Sequence, residues 1–100
     1  MMNMDDNYGL ISKIVAIPGK REELADILVN GTQGMPGCIS YVIAKDPQDA
    51  DALWITEVWQ SQTMHQSSLS LPTVQDAMIK GKPLIDGILE RIETQPIGQV

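Results

Sequence analysis

The sequence contains little cysteine, histidine or basic charge. One cysteine, Cys38, and one histidine occur among its 100 residues. An internal disulfide is therefore impossible, and a His/Cys zinc site has too few ligands, so we expect no bound metal. Lysine and arginine number 7 against 13 acidic residues, which gives a formal net charge of -6. Because nucleic acids and anionic membrane surfaces repel such a protein, we expect neither as a partner.

Long apolar runs are also absent from the sequence. The longest runs, such as Ile14-Val15-Ala16-Ile17, extend over about four residues, whereas a membrane-spanning helix needs roughly 20. The acidic N-terminus has neither the basic region nor the apolar core of a signal peptide. We therefore expect a cytoplasmic protein.

A chain of this length allows one domain. We expect residues 1–7 to be a disordered or extended segment and residues 8–100 to form a single domain. A helix is predicted to begin at residues 20–23 and to stop before Gly34, a short helix capped by Ser61 to end at Ser68, and a further one capped by Thr73, after an interruption at Pro72, to end at Lys80. Strands are predicted at residues 8–17, 38–45, 52–60 and 88–95.

This β-α-β-β-α-β order predicts a ferredoxin-like α+β fold, in which an antiparallel sheet carries its helices on one face. The first strand is apolar on both sides, which is typical of a strand buried on both faces. The uncovered face of the sheet therefore needs a cover, and a second copy of the chain provides it most simply. We expect a homodimer in which the two sheets pack together.

Several short motifs in the sequence, taken together in their order and spacing, carry a resemblance to a known family. They are Pro18-Gly19-Lys20-Arg21-Glu22-Glu23-Leu24, Pro36-Gly37-Cys38-Ile39-Ser40-Tyr41, Asp46-Pro47, Glu57-Val58-Trp59-Gln60-Ser61 and His65. Over residues 8–95 the sequence thereby resembles the antibiotic biosynthesis monooxygenase family of small dimeric α/β-barrel proteins, which includes cofactor-free quinol monooxygenases. The resemblance implies that O₂ oxidises a quinol-like or anthrone-like aromatic substrate to a quinone without any cofactor.

The resemblance also implies a substrate pocket between the sheet and the helices, where Trp59 and His65 match the family's indole and polar ring. A neutral imidazole can take a proton from a phenol near pH 7, and an indole can form an aromatic wall and donate its N–H. We therefore expect catalytic roles for His65 and Trp59. The candidate substrate-binding residues are Glu57, Tyr41, Ile55, Met64 and Met78.

These residues also have ordinary structural interpretations. A tryptophan at the end of a strand commonly belongs to the core, and a lone histidine on a short helix commonly lies at the surface. Glu57 stands between apolar neighbours and needs a partner, for which Arg91, Lys13 and His65 are the candidates. Trp54, on the opposite face of its strand, is expected at the dimer interface.

Two other functions use the same fold. A non-enzymatic dimeric module could bind a small aromatic or apolar metabolite, and the serine-rich stretch at residues 66–71, with few catalytic groups, favours it. Haem-degrading relatives carry an axial histidine on the later helix and an asparagine in the first strand. Residues 75–78 and 10–13 contain neither, so haem degradation is disfavoured.

Overall fold

The computed structural model describes residues 6–99. The elements follow the order β1 (Tyr8–Ala16), α1 (Arg21–Gly31), β2 (Cys38–Lys45), β3 (Ala52–Trp59), α2 (Gln62–Ser68), α3 (Pro72–Gly81), a 3-10 helix (Lys82–Leu84) and β4 (Ile85–Thr94). Of the segment expected to be disordered or extended at residues 1–7, the first five lie outside the described residues, and Asn7 is buried.

The four strands form one antiparallel sheet in the order β2-β3-β1-β4. β1 lies between β3 and β4, and its register sets Tyr8 opposite Trp59 and Leu10 opposite Glu57. The helices cover one face, as the buried side chains of both core clusters show. The predicted ferredoxin-like α+β fold is confirmed. Within one chain the sheet is open and does not close into a barrel.

The helix α2 begins where the sequence predicts. The hydroxyl of Ser61 accepts a hydrogen bond from the backbone N–H of Met64 at 3.2 Å, which satisfies a donor that the first turn leaves free. The prediction for α3 was wrong at its start. Pro72 opens this helix rather than interrupting the chain, because its fixed φ and missing N–H suit the first helical position, and the cap is Leu71 instead of Thr73.

The last strand also begins before its predicted start at residue 88. β4 starts at Ile85, and Gly87 lies within it, paired with Val15 beside a register shift. A glycine inside a strand commonly marks such an irregularity rather than the end of pairing. The predicted start of this strand at residue 88 was therefore three residues too late.

The face of the sheet opposite the helices is open. In a single chain the buried apolar side chains of β1 lie on its helix face, while Val42 and Ile92 on the other face of the sheet are 50% and 47% exposed. Trp54 on this face donates a hydrogen bond from its indole nitrogen to Asp46 at 2.9 Å. Hydrogen bonds from the backbone N–H of Gln48 and from Trp54 lower the pKa of Asp46 to about 2.

The helices α1 and α3 approach each other closely at Gly31, where a Cβ would overlap the Cβ of Ala77. We expect Gly31→Ala to lower the free energy of unfolding by ~1–3 kcal/mol, because the clash outweighs the better helix propensity of alanine. The matched control is Gly87→Ala, whose Cβ would meet no atom within 4 Å. Urea denaturation of both variants measures the difference, and equal effects would contradict the close approach.

Candidate functional site

A cavity of about 140 Å³ lies between the helices and the helix face of the sheet. Of the residues predicted for the site, five contribute to its wall: His65, Trp59, Glu57, Tyr41 and Met78. The rest of the lining is mainly apolar and comes from α1, α2, α3 and the segment after α1: Leu28, Thr32, Met35, Ser68, Leu69, Val74 and Ala77. The structure thus brings most of the predicted residues together around one space.

The structure places Ile55 and Met64 outside this lining. Ile55 is buried in the core cluster around Leu24 and Leu53, two positions along β3 from Glu57. Met64 precedes His65 on α2 and therefore points about 100° away around the helix. Its side chain packs over Gly37, whose φ of 79° and lack of a Cβ leave room for it.

The imidazole of His65 lies between two aromatic rings. Its centroid is 5.2 Å from that of Tyr8 with a tilted geometry, and 5.5 Å from that of Trp59 with an edge-on geometry. The side chain is 12% exposed, and its Nε2 atom lies 3.8 Å from Oε1 of Glu57. This distance is too long for a hydrogen bond, but it places the carboxyl group of Glu57 beside the imidazole.

Burial and nearby charge determine the titration of His65. Removal from water lowers the pKa of the imidazole, the positive charge of Arg91 lowers it further, and Glu93 opposes both. The pKa therefore lies below the ordinary value of 6.5. At neutral pH the ring is uncharged and can accept a proton.

Glu57 and Trp59 form a buried pair two residues apart on the same face of β3. The indole N–H of Trp59 donates to Oε1 of Glu57 at 3.0 Å, and the tryptophan is 1% exposed. The expectation that this N–H is available to a substrate therefore changes, since Glu57 occupies it. Burial raises the pKa of the Glu57 carboxyl, while the Trp59 hydrogen bond and the charge of Arg91 act in the opposite direction.

The structure distinguishes among the partners considered for Glu57. His65 lies near its carboxyl group, and the charge of Arg91 lowers its pKa. Lys13 does not, because it lies on the other face of the sheet and forms an ion pair with Asp46 at 3.4 Å. Side chains alternate between the two faces along a strand. Lys13 therefore lies on the face opposite to that of Leu10, which is the face that carries the helices.

Sequence reasoning missed the contribution of Tyr8 and Glu93 to this region. The hydroxyl of Tyr8 donates to Oε2 of Glu93 at 2.7 Å, and the two residues are 85 positions apart. Arg91 and Glu93 are two positions apart in the sequence, which places both charged side chains on the same face of β4. Because β1 pairs with β4, Arg91 and Glu93 lie at the edge of the site.

Within residues 6–99, no three His, Cys, Asp or Glu side chains are grouped so that they could hold a metal ion. In the same part of the chain, none of the helices has the length and apolar character needed to cross a membrane. Cys38 is a free thiol close to the site. Burial raises the pKa of this thiol and so favours its protonated form, which is less reactive than the thiolate.

Comparison with known proteins identifies the family. The model of the antibiotic biosynthesis monooxygenases matches residues 8–80. A crystal structure from Chloroflexus aurantiacus J-10-fl, provisionally assigned to these proteins, is 56% identical, with 94% of this chain and 96% of that chain covered and a TM-score of 0.92. No curated protein matches the sequence significantly.

More distant structures share the fold. PA3566 from Pseudomonas aeruginosa is 18% identical, with coverage of 97% of this chain and 100% of that chain and a TM-score of 0.83. A Bacteroides thetaiotaomicron VPI-5482 protein of unknown function, described as a possible oxidoreductase, is 17% identical, with 90% and 99% covered and a TM-score of 0.77. The family match extends over most of the chain, and the chain belongs to the antibiotic biosynthesis monooxygenase family.

Proposed function

We propose that the protein is a cofactor-independent monooxygenase that oxidises a quinol-like or anthrone-like aromatic compound with O₂ to a quinone. The observation that carries this proposal is an uncharged imidazole, His65, in the wall of a mainly apolar cavity beside the buried carboxyl group of Glu57. The family membership and the description of the Chloroflexus relative support oxygenase chemistry. The description of the Bacteroides structure as a possible oxidoreductase is consistent with it.

His65 acts first, by taking the proton of the phenolic or anthrone group. The resulting electron-rich anion passes one electron to O₂, and the two radicals combine at a ring carbon that carries hydrogen. Protonation gives a hydroperoxide, which loses water to leave a carbonyl group. One atom of O₂ thus enters the quinone and the other leaves as water, so the substrate itself supplies all the electrons. The protein contributes orientation, proton transfer and exclusion of bulk water.

The neighbours of His65 support this proton transfer. The Glu57 carboxylate lies near Nε2 and stabilises the imidazolium that forms. Trp59 holds the carboxylate in place through its N–H and presents its ring to the cavity. Burial raises the pKa of the Tyr41 hydroxyl, so this group stays protonated and can donate a hydrogen bond to a substrate oxygen. Met78 supplies an adaptable apolar wall.

Oxygen uptake with isotopic labelling tests the proposal. Chelator-treated protein is mixed with a panel of hydroquinones and anthrones under ¹⁸O₂, and uptake is corrected for autoxidation in samples without protein. We expect one O₂ consumed per substrate and one labelled oxygen atom in the product. Accumulation of hydrogen peroxide with an unlabelled product would contradict monooxygenation. Saturable binding without uptake would instead indicate the non-enzymatic binding module.

The proposal includes the cytoplasmic location and the homodimer expected from the sequence. The open face of the sheet supports a dimer, because its apolar side chains include the half-exposed Val42 and Ile92. At micromolar concentration, light scattering is expected to give twice the mass of one chain. Val42→Glu is expected to shift that mass toward the monomer, whereas Val29→Glu, at a similarly exposed position on α1, is expected to leave it unchanged. A monomeric mass for the wild type would contradict sheet-on-sheet packing.

A further inference from the structure

The cavity at His65 shares two lining residues with an apolar groove on the outer surface. This α2–α3 groove has a volume of about 260 Å³ and is lined by Leu69, Gln75, Met78 and Ile79. Leu69 and Met78 line the cavity as well. The two spaces are therefore adjacent, and this pair of side chains lies between the interior and the surface.

The groove arises from a simple helical pattern. Gln75, Met78 and Ile79 stand at positions i, i+3 and i+4 of α3 and so form one strip along its surface. Leu69 faces this strip from the end of α2. Three of the four side chains are large and apolar, and all three are exposed, Ile79 to 74%. None of the four carries a charge, although the whole chain has a net charge of -6.

The size of the cavity limits what its interior can hold. Its volume of about 140 Å³ is comparable with the ~150 Å³ of an engineered apolar cavity that binds one benzene ring. One hydroquinone ring therefore fills the space beside His65 and Glu57. A second or third fused ring exceeds this volume and extends beyond the cavity. The cavity also borders a more polar surface space at Thr32 and Tyr41, and its apolar exit lies between Leu69 and Met78.

We propose that, of the quinol-like and anthrone-like compounds considered above, the natural ligand is the quinol-like one: a single aromatic ring with a neutral apolar substituent, the ring bound in the cavity and the substituent in the α2–α3 groove. The proposal rests on the proposed function for the identity of the ring as a quinol. The groove offers no cation to a carboxylate or phosphate tail, and the negative net charge disfavours one. An alkyl chain that leaves water and contacts Leu69, Met78 and Ile79 is stabilised by the hydrophobic effect.

Binding of 4-alkylphenols tests the ligand class without any need for turnover. Isothermal titration under nitrogen compares phenol with its 4-ethyl, 4-propyl, 4-butyl and 4-pentyl derivatives. We expect the Kd to fall about two- to fourfold for each methylene that enters the groove. Ile79→Ser is expected to reduce this dependence on chain length. Ile97→Ser, the same change at an isoleucine that is exposed in the C-terminal segment, is expected to leave it as in the wild type.

The outcomes separate this inference from the proposed function. A Kd that does not fall with chain length, or an unaltered slope in Ile79→Ser, would overturn the inference, as would tighter binding of an anthrone than of pentylphenol. A lower oligomeric mass of Ile79→Ser would show that the groove contacts a second copy, and would also overturn it. The expected slope together with an absence of oxygen uptake from pentylhydroquinone would support the ligand class and contradict only the monooxygenase function.

Discussion

His65→Ala is expected to lower kcat/KM for quinol oxidation by about 10²–10⁴-fold, the contribution that one positioned acid or base typically makes. The physical reason is the loss of the uncharged imidazole that lies between Tyr8 and Trp59 and beside Glu57. The substrate can still enter the cavity, but its ionisation then depends on water. Oxygen uptake at low substrate concentration measures the ratio directly.

A second substitution on the same helix provides the control. Gln66 follows His65 on α2, is exposed and is not part of the cavity lining. Gln66→Ala is therefore expected to retain the wild-type rate. If His65→Ala retained a rate within about threefold of that of the control, His65 would not be the base, because even a weak general base contributes more than this.

The same residue determines the expected pH dependence. Because burial and Arg91 lower the pKa of His65, kcat/KM should rise with an apparent pKa below 6.5 and reach a plateau above it. The contribution of His65 to the free energy of unfolding also increases as the pH rises. The folded protein binds fewer protons than the unfolded chain, so the contribution of His65 is present above 6.5 and is lost as the pH falls toward the folded-state pKa. Arg91→Met should raise the apparent pKa.

Trp59→Ala is expected to lower the free energy of unfolding by ~3–5 kcal/mol, a typical loss for a large buried aromatic side chain. Trp59 is 1% exposed and packs in the cluster formed with Tyr8, Leu10, Met35 and Val74. Its removal also leaves Oε1 of Glu57 without the indole donor. Since small domains are stable by only about 5–15 kcal/mol, the variant should be marginally folded at room temperature.

Trp59→Phe separates the two parts of this effect. Phenylalanine keeps most of the packed ring and removes only the N–H, so a loss of about 1–3 kcal/mol is expected from the unsatisfied carboxylate. Urea denaturation of both variants gives the comparison. A loss below about 1 kcal/mol for Trp59→Ala would contradict the packed core position, because it is smaller than any typical large-to-small change in a core.

The elements that the sequence predicted well are those with local signals. The β-branched run of β1 and the alternation in β3 are both visible within a few residues, and Ser61 marks the start of α2. The starts of α3 and β4 were predicted wrongly because Pro72 and Gly87 belong to residue types that each have two opposite uses. A proline can open a helix as well as end one, and a glycine can occupy an irregular strand position as well as a turn.

The candidate site shows the same division. The period of the strand places Glu57 and Trp59 on the same face, but the hydrogen bond between them was not predicted, because the indole N–H was assigned to the substrate. The hydrogen bond between Tyr8 and Glu93 could not be predicted from the sequence, because it depends on the register between the first and last strands. A pattern within one strand does not determine the register of its neighbour.

The two tryptophans of the chain lie on opposite faces of β3, Trp59 at the cavity and Trp54 on the open face. Each indole is a fluorophore in a different environment, and the sequence contains no third one. In Trp54→Phe, emission comes only from the cavity and should respond to ligand. In Trp59→Phe, it comes only from the open face and should respond to self-association. One strand therefore carries separate optical signals for the two processes.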